Sequence, residues 1–250
     1  MKKMDNYLEN QLKKNLKKSE KCYKKSNSYK CEKCKDLTFI LNDNIATPCE
    51  CRSLRICESI LENSGISEEF RKKTFDNFDY SFSMESLEAF RTANIYAKNF
   101  KQLQSDRRNS IMFMGQVGSG KTHLSLAIAN KLMDKGIGVI YMPYRESIMS
   151  LKQNIMEEES YKKLMNRYKN SRVLLIDDLF KGGVTKSDLN IMFEIINHRY
   201  FNNLPMIIST EKYLEELMNI DEAIGSRIIE MSKAYIINLV GKKLNYRIYG

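Results

Sequence analysis

The chain has 250 residues, of which 42% are hydrophobic and 29% charged, with a formal net charge of +10. That length suits one sizeable domain with a smaller attachment, and the apolar share is enough for a packed core. No stretch approaches the roughly 18 apolar residues of a membrane-spanning helix, and no apolar segment follows the basic N-terminus as in a secretory leader, so the sequence reads as cytoplasmic with no membrane partner.

The first 30 residues carry ten lysines against three acids, Asp5, Glu9 and Glu20, which concentrates most of the basic excess there. Such a segment is either a solvated basic tail or a docking helix, the latter because Tyr7, Leu8, Leu12 and Leu16 recur near helical spacing. The overall balance favours an anionic partner, nucleic acid first.

Five of the six cysteines fall between residues 31 and 57. Cys31-Glu-Lys-Cys34 is followed after 14 residues by Cys49-Glu-Cys51. Four thiols this close in a cytosolic chain suit one tetrahedral zinc ion, Zn²⁺. A segment so short can hardly bury a core without metal. Four cysteine ligands leave no open position, so the site would be structural. Cys22 and Cys57 are spare thiols, either of which could replace one of the four. His123 and His198 lie in or beside apolar helical stretches and are set aside as metal ligands.

Residues 1–60 thus form a basic arm with a zinc-binding region, and residues 61–250 an α/β domain. In the latter, short apolar runs recur at Ile111–Met114, Val139–Met142, Val173–Ile176, Met206–Ile208 and Tyr235–Leu239. Between them lie helical patterns such as His123–Asp134 and Leu189–Phe201. This alternation predicts a parallel sheet covered on both faces. Lys98–Asn109 reads as a polar connector into the first of these strands.

Gly115-Gln116-Val117-Gly118-Ser119-Gly120-Lys121-Thr122 matches the P-loop pattern in full, with an apolar run before it and a helical run after it. Its glycines turn the backbone so that successive N–H groups face phosphate oxygens. The following helix, beginning beside His123, adds its positive end. Lys121 would neutralise the β and γ phosphates of ATP, and Thr122 would offer a hydroxyl to Mg²⁺. Val173-Leu-Leu-Ile-Asp177-Asp178 ends an apolar run in two carboxylates. Asp177 would hold Mg²⁺, and Asp178 would orient the attacking water or merely cap a helix. Ser209 and Thr210 end a neighbouring run and could face the γ-phosphate. Arg227, in Gly225-Ser-Arg227, reads either as an arginine finger reaching a neighbouring subunit's ATP or as a surface arginine paired with Glu222 or Glu230.

The order of these features resembles the DnaC/DnaI/IstB group of AAA+ ATPases, and most closely its DnaC-like helicase loaders. The resemblance runs from Cys31 to the C-terminus. It takes in the cysteine cluster, Gly65-Ile-Ser-Glu-Glu-Phe70, Thr74-Phe-Asp-Asn-Phe78, the P-loop, Asp177-Asp178-Leu179, Ser209-Thr210, Gly225-Ser-Arg227 and Asn245-Tyr-Arg247. It implies an α/β AAA+ fold with a five-stranded parallel sheet and little separate helical lid. It also implies that Thr74–Phe78 packs beside the adenine, that Ser209 and Thr210 act as sensor 1, that Arg227 is the arginine finger and that Arg247 is a second sensor. Two positions depart from the pattern: Glu211 stands where Asn is common, and Asp178 stands where AAA+ proteins usually carry Glu.

The implied function is loading of a hexameric replicative DNA helicase onto single-stranded DNA. The N-terminal region would bind the helicase, and the subunits would self-associate through the ATP site. Alternatives are an IstB-type transposition helper, which works on double-stranded DNA, and a nucleotide-binding scaffold with negligible turnover. Lys181, Lys186, Arg199, Lys242 and Lys243 are candidate DNA contacts.

Overall fold

The computed structural model describes residues 29–42, 45–81, 83–241 and 244–249. The lysine-rich stretch before residue 29, with its expected helix and Cys22, lies outside the described residues, as do Lys242 and Lys243. The chain divides into two compact units, Met1–Arg55 and Ile56–Gly250.

The first unit contains a feature that the sequence reading did not anticipate. Strand β1 (Phe39–Asn42) pairs antiparallel with β2 (Ile45–Pro48), so a hairpin separates the two cysteine pairs. Among the described residues up to Arg55, only Cys34 and Cys49 are buried. Every residue of β2 is exposed. The described residues of this unit therefore bury little apolar surface to offset the entropy of ordering them.

The second unit holds strands β3 (Ile111–Gly115), β4 (Val139–Pro143), β5 (Val173–Leu179), β6 (Met206–Thr210) and β7 (Ile236–Leu239). All pair in parallel, in the order β4-β5-β6-β3-β7. The helices are α1 (Arg52–Ser64), α2 (Glu68–Arg71), α3 (Met84–Leu103), α4 (Lys121–Met133), α5 (Tyr144–Gln153), α6 (Glu158–Asn170), α7 (Lys186–Phe201), α8 (Leu214–Ile220), α9 (Glu222–Ser232) and α10 (Tyr246–Tyr249). None among the described residues is long and apolar enough to cross a membrane.

The period-two geometry of a strand sends alternate side chains to opposite faces, and two cores result. Ile111, Phe113, Val173, Leu175 and Ile207 join one core with α3 and α4. Met112, Met114, Leu174, Ile176 and Ile208 join the other with α5, α7 and α9. Because both faces are covered, the strands read as unbroken apolar runs. Helix α3 corrects the expected connector, since it continues to Leu103. Ala89, Ala93, Tyr96, Ala97 and Phe100 fall on one buried stripe, which extends the helix through the polar-looking residues 98–103.

Arg199 also differs from expectation. It is not a DNA contact but a fully buried side chain on α7 (0% exposed). Its Nη1 donates to the carbonyls of Tyr168 and Ser171, both at 2.9 Å, and its Nη2 to that of Pro205 at 2.7 Å. Burial pushes the guanidinium down to about 9, so it remains cationic at neutral pH. These bonds satisfy carbonyls at the end of α6 and in the turn before β6. Replacement by leucine leaves those buried acceptors without donors, so Arg199→Leu is expected to lower unfolding stability by about 3 kcal/mol in urea titrations. A loss of DNA affinity with unchanged stability would contradict this placement.

Candidate active site

The P-loop leaves β3 at Gly115 and enters α4 at Lys121. Gly120, the residue before the helix, has φ 88°, and a Cβ there would lie 2.7 Å from the Phe78 ring. Gly118 has φ 74°, and a Cβ there would lie 2.1 Å from Oδ1 of Asn245. Both positions therefore exclude a side chain on conformational and spatial grounds. Lys121 Nζ donates to the carbonyls of Gly115 (2.8 Å) and Gln116 (2.6 Å), which hold the ammonium inside the loop. Ser119 Oγ donates to the same Gln116 carbonyl at 2.8 Å. Burial depresses the Lys121 amine, and Glu211 and Asp178 oppose that shift.

Asp177, only 7% exposed, is the meeting point of the sheet's C-terminal end. Thr122 Oγ1 donates to its Oδ1 at 2.8 Å and Tyr141 OH to its Oδ2 at 3.0 Å, while Ser209 Oγ also donates to Oδ1. Burial raises the Asp177 carboxyl above its ordinary range, and the Ser209 and Thr122 hydrogen bonds oppose that. A hydroxyl beside a carboxylate is a hard oxygen donor pair, and Thr122 and Asp177 fit Mg²⁺, which takes few protein ligands and keeps several waters.

The β5–β6 register shifts between Ile176 and Leu179. Such an irregularity re-aims side chains at a strand end, and Asp178 within it has φ 56°. It is part of the strand rather than a helix cap. Its N–H donates to Ser209 Oγ at 2.9 Å, and its carboxylate pairs with Lys181 at 2.7 Å.

The two β6 hydroxyls differ from expectation. Ser209 and Thr210 are fully buried. Ser209 links the backbone of Asp178 to the carboxylate of Asp177. Thr210 Oγ1 donates to the Leu179 carbonyl at 2.8 Å and accepts the Lys212 N–H at 3.0 Å. Neither lines the cavity described next. As a central strand covered on both faces, β6 spends these groups on joining β5 and on its own turn.

A cavity of 620 Å³ runs over the P-loop. One end holds Lys121, Thr122, Asp177, Asp178, Lys181 and Glu211; the other holds Phe70, Lys73, Asn77 and Phe78, with Tyr246 and Arg247. Two side chains on α4 fix that second end. His123 Nε2 lies 2.9 Å from the Thr74 carbonyl and 3.0 Å from Asn77 Oδ1, both acceptors, so this nitrogen carries the proton. Asn130 Nδ2 donates to the carbonyl of Lys73 at 2.8 Å and of Arg71 at 3.1 Å. The C-terminal segment closes over the loop, with the Tyr246 N–H donating to the Gly118 carbonyl at 3.0 Å.

Arg227 is not among the residues lining this cavity. Its Nη1 donates to the Ala223 carbonyl at 2.6 Å, and its guanidinium lies 5.4 Å from the Phe193 ring centre and 5.3 Å from that of Tyr200. Neither Glu222 nor Glu230 pairs with it; Glu230 instead meets Arg107 and Tyr200.

In the first unit, the Sγ atoms of Cys31, Cys34, Cys49 and Cys51 all lie within 4.8 Å of one another. Cys31 and Cys49 are 3.8 Å apart, and Cys34 and Cys51 are 3.4 Å apart. Four thiolates bound at about 2.3 Å to one tetrahedral zinc would stand about 3.8 Å from each other, so the cluster fits that ion. The Cys34 backbone N–H leads the groups that hold the Cys31 thiol down at about 7, while loss of water pushes Cys51 up to about 12. Cys22 and the side chain of Cys57 are outside the described residues.

Sequence reasoning did not find the roles of Tyr141, Asn130, Lys181 or Glu211. Tyr141 faces Leu175 in register, and Asp177 lies two residues further along the same face of β5. That diagonal becomes visible only when the strand pairing is known.

The 5-stranded parallel sheet, the P-loop after β3 and the aspartate pair ending β5 define an AAA+ P-loop ATPase. The chain belongs to the family described as IstB-like ATP binding protein, whose model matches residues 12–233. Phage-like element PBSX protein XkdC of Bacillus subtilis (strain 168) is 36% identical over 235 residues, covering 89% of this chain and 87% of that protein. Among solved structures, the DnaC helicase loader superposes with a TM-score of 0.60 at 21% identity, covering 70% of this chain and 100% of that one. The replication initiator DnaA bound to AMPPCP and single-stranded DNA gives a TM-score of 0.58 at 20% identity, covering 74% of this chain and 54% of that one. At these identities the structural likeness establishes the fold.

His123 generates a pH prediction. Burial depresses its imidazole below the ordinary value of about 6.5. The unfolded chain therefore binds more protons than the folded one in mild acid. The His123 contribution is intact above the ordinary histidine range and is lost as pH falls from there toward the depressed value. Urea unfolding at pH 7.5 and 5.5 should show a smaller acid loss for His123→Gln than for the parent. Equal losses would show that the imidazole is not held neutral by this site.

Proposed function

We propose that this protein is an ATP-switched loader that delivers a hexameric replicative helicase onto single-stranded DNA. The observation that carries this reading is the likeness to the DnaC helicase loader, all of which is covered by 70% of this chain, together with a four-thiol cluster in the first unit. The similar DnaA structure, bound to AMPPCP and single-stranded DNA, supports the choice of nucleic acid. The net charge of +10 fits such a partner.

In this reading the P-loop backbone and Lys121 hold the phosphate chain of ATP. Thr122 and Asp177 hold Mg²⁺, which when bound neutralises the β and γ oxygens. Asp178 orients the attacking water, Ser209 fixes both aspartates, and Arg247 reaches the nucleotide from the C-terminal side. Arg227 leaves its aromatic seat to meet the ATP of a neighbouring subunit, so ATP bridges the assembly and its hydrolysis loosens the grip on DNA. Zinc, held by Cys31, Cys34, Cys49 and Cys51, supplies folding energy to the first unit and shapes the helicase-binding region. The second reading is a transposition helper acting on double-stranded DNA; the IstB-like family match favours it.

Loss of Arg227 should lower DNA-stimulated ATP turnover by about 10³-fold and leave nucleotide affinity unchanged. The shared-site model further requires complementation. Lys121→Ala and Arg227→Ala proteins, each inactive alone, should regain turnover when mixed. An Arg227→Ala protein that hydrolyses like the parent removes the bridging role.

Metal analysis of the purified protein should find about one zinc per chain, lost in Cys31→Ser/Cys34→Ser. The parent, but not that variant, should capture a hexameric helicase from a host lysate. Capture of a transposase instead would select the second reading.

A further inference from the structure

Asp178 is one carbon shorter than glutamate, and its backbone is fixed while its carboxylate has a single anchoring cation among the described residues. The turn that follows brings that cation in. The Lys181 N–H donates to the Asp178 carbonyl at 3.1 Å, and Asp178 and Phe180 both take left-handed conformations, φ 56° and 58°. Non-glycine residues adopt that region only when their surroundings fix it. Here the fully buried Phe180 ring packs edge-on to Tyr144, with centroids 5.6 Å apart. The turn delivers Lys181 Nζ to 2.7 Å from Asp178 Oδ2. The same ammonium lies 3.2 Å from Glu211 Oε1, on a residue that follows β6 and is therefore an independent element. Asp178, Lys181 and Glu211 all line the nucleotide cavity beside Lys121.

We propose that Lys181 is a positioning residue for Asp178 in ATP hydrolysis, and that Glu211 fixes Lys181 in turn. This rests on the reading of Asp178 as the residue that orients the attacking water. Hydrolysis forms a bond from the water oxygen to the γ-phosphorus and breaks the bond from γ-phosphorus to the β–γ bridging oxygen, which leaves with ADP. The water proton passes by way of the Asp178 carboxylate to the released phosphate.

Two physical effects assign the role to Lys181. The ammonium restrains a carboxylate that would otherwise rotate, and orientation of that kind is what a water-directing group needs. It also offsets crowding of like charge. Without it, Asp177, Asp178 and Glu211 would face the terminal phosphate with one ammonium fewer to offset them. The Glu211 contact keeps Lys181 from turning wholly to the phosphate. Lys181 is itself held in the charged form, first by its hydrogen bond to Asp178 and also by that to Glu211.

The test uses the full chain, with steady-state ATP hydrolysis and equilibrium binding of a fluorescent ATP analogue as separate readouts. Lys181→Gln should lower kcat about tenfold or more and change the nucleotide Kd by less than about twofold. Lys181→Arg, which keeps the charge, should recover kcat to within about threefold of the parent. Glu211→Gln should lower kcat by itself and have no further effect in the Lys181→Gln background, since the two act as one unit. Turnover that is unchanged or faster in Lys181→Gln overturns the proposal, the faster outcome marking Lys181 as a brake on Asp178. Equal losses in kcat and affinity also overturn it. Asp178→Asn separates the two levels. If that variant hydrolyses like the parent, the reading of Asp178 fails; if it is inactive while Lys181→Gln is normal, only the positioning role fails. Should Lys181→Gln not fold, Lys181→Arg and Glu211→Gln carry the comparison.

Discussion

The carboxylate of Asp177 receives hydrogen bonds from three elements that are distant in sequence: Thr122 on α4, Tyr141 on β4 and Ser209 on β6. A buried charge is costly without such partners, and these hydroxyls can donate to it together only if the strands end at matching heights. The order β4-β5-β6-β3-β7 achieves this, because β5 lies between β4 and β6, and β3 follows beyond β6. The sheet register, the place where the P-loop emerges and the metal-side carboxylate are thus one constraint. A slip of one residue in β5 would send Asp177 to the opposite face and bring Ile176 to the phosphate end.

Around that fixed point the nucleotide cavity is assembled from segments that have little structure of their own. Residues 70–77 carry only a single helical turn, yet Asn130 and His123, on one face of α4, hold their carbonyls and Asn77. The same helix begins at the P-loop. One helix thus joins the phosphate-binding loop to residues 71–77 through two side chains seven residues apart. The C-terminal segment adds a third clamp at Gly118, where the absence of a Cβ admits Asn245. The cavity walls are thus held by side-chain bonds to backbone as well as by the packing of Phe70 and Phe78 against the core.

The five strands and the P-loop were legible because both depend on local pattern: apolar runs for strands buried on two faces, and a fixed spacing of glycines, lysine and threonine. The cysteine cluster was legible by spacing, although the hairpin inside it was not, since β2 is exposed along its whole length and so carries no amphipathic signal. Contacts set by tertiary pairing were hidden. Tyr141 reaches Asp177 across a strand diagonal, and Lys181 reaches Glu211 between two strand ends. One misreading has a plain cause: by residue type Arg199 reads as a free cation. Burial decided otherwise, since a buried donor or acceptor must be satisfied by whatever backbone lies beside it. The polar-looking end of α3 was misjudged for the related reason that a single buried stripe is enough to sustain a helix.

The position of Arg227 shows how the proposed switch stays poised. Its guanidinium rests near the Phe193 and Tyr200 rings and on one backbone carbonyl, without a carboxylate partner among the described residues. Cation–π contacts at a half-exposed site contribute about 0.5–1 kcal/mol each. A paired aspartate would hold the arginine more firmly, by a charge-assisted bidentate bond. Aromatic seating therefore fixes the rotamer while leaving most of the charge uncompensated. In the proposed assembly the polyphosphate of a neighbouring subunit would draw that charge across at low cost, whereas a salt bridge would have to be broken first. Glu230, one helical turn away, is likewise occupied by Arg107 and Tyr200, which leaves Arg227 available to the proposed assembly.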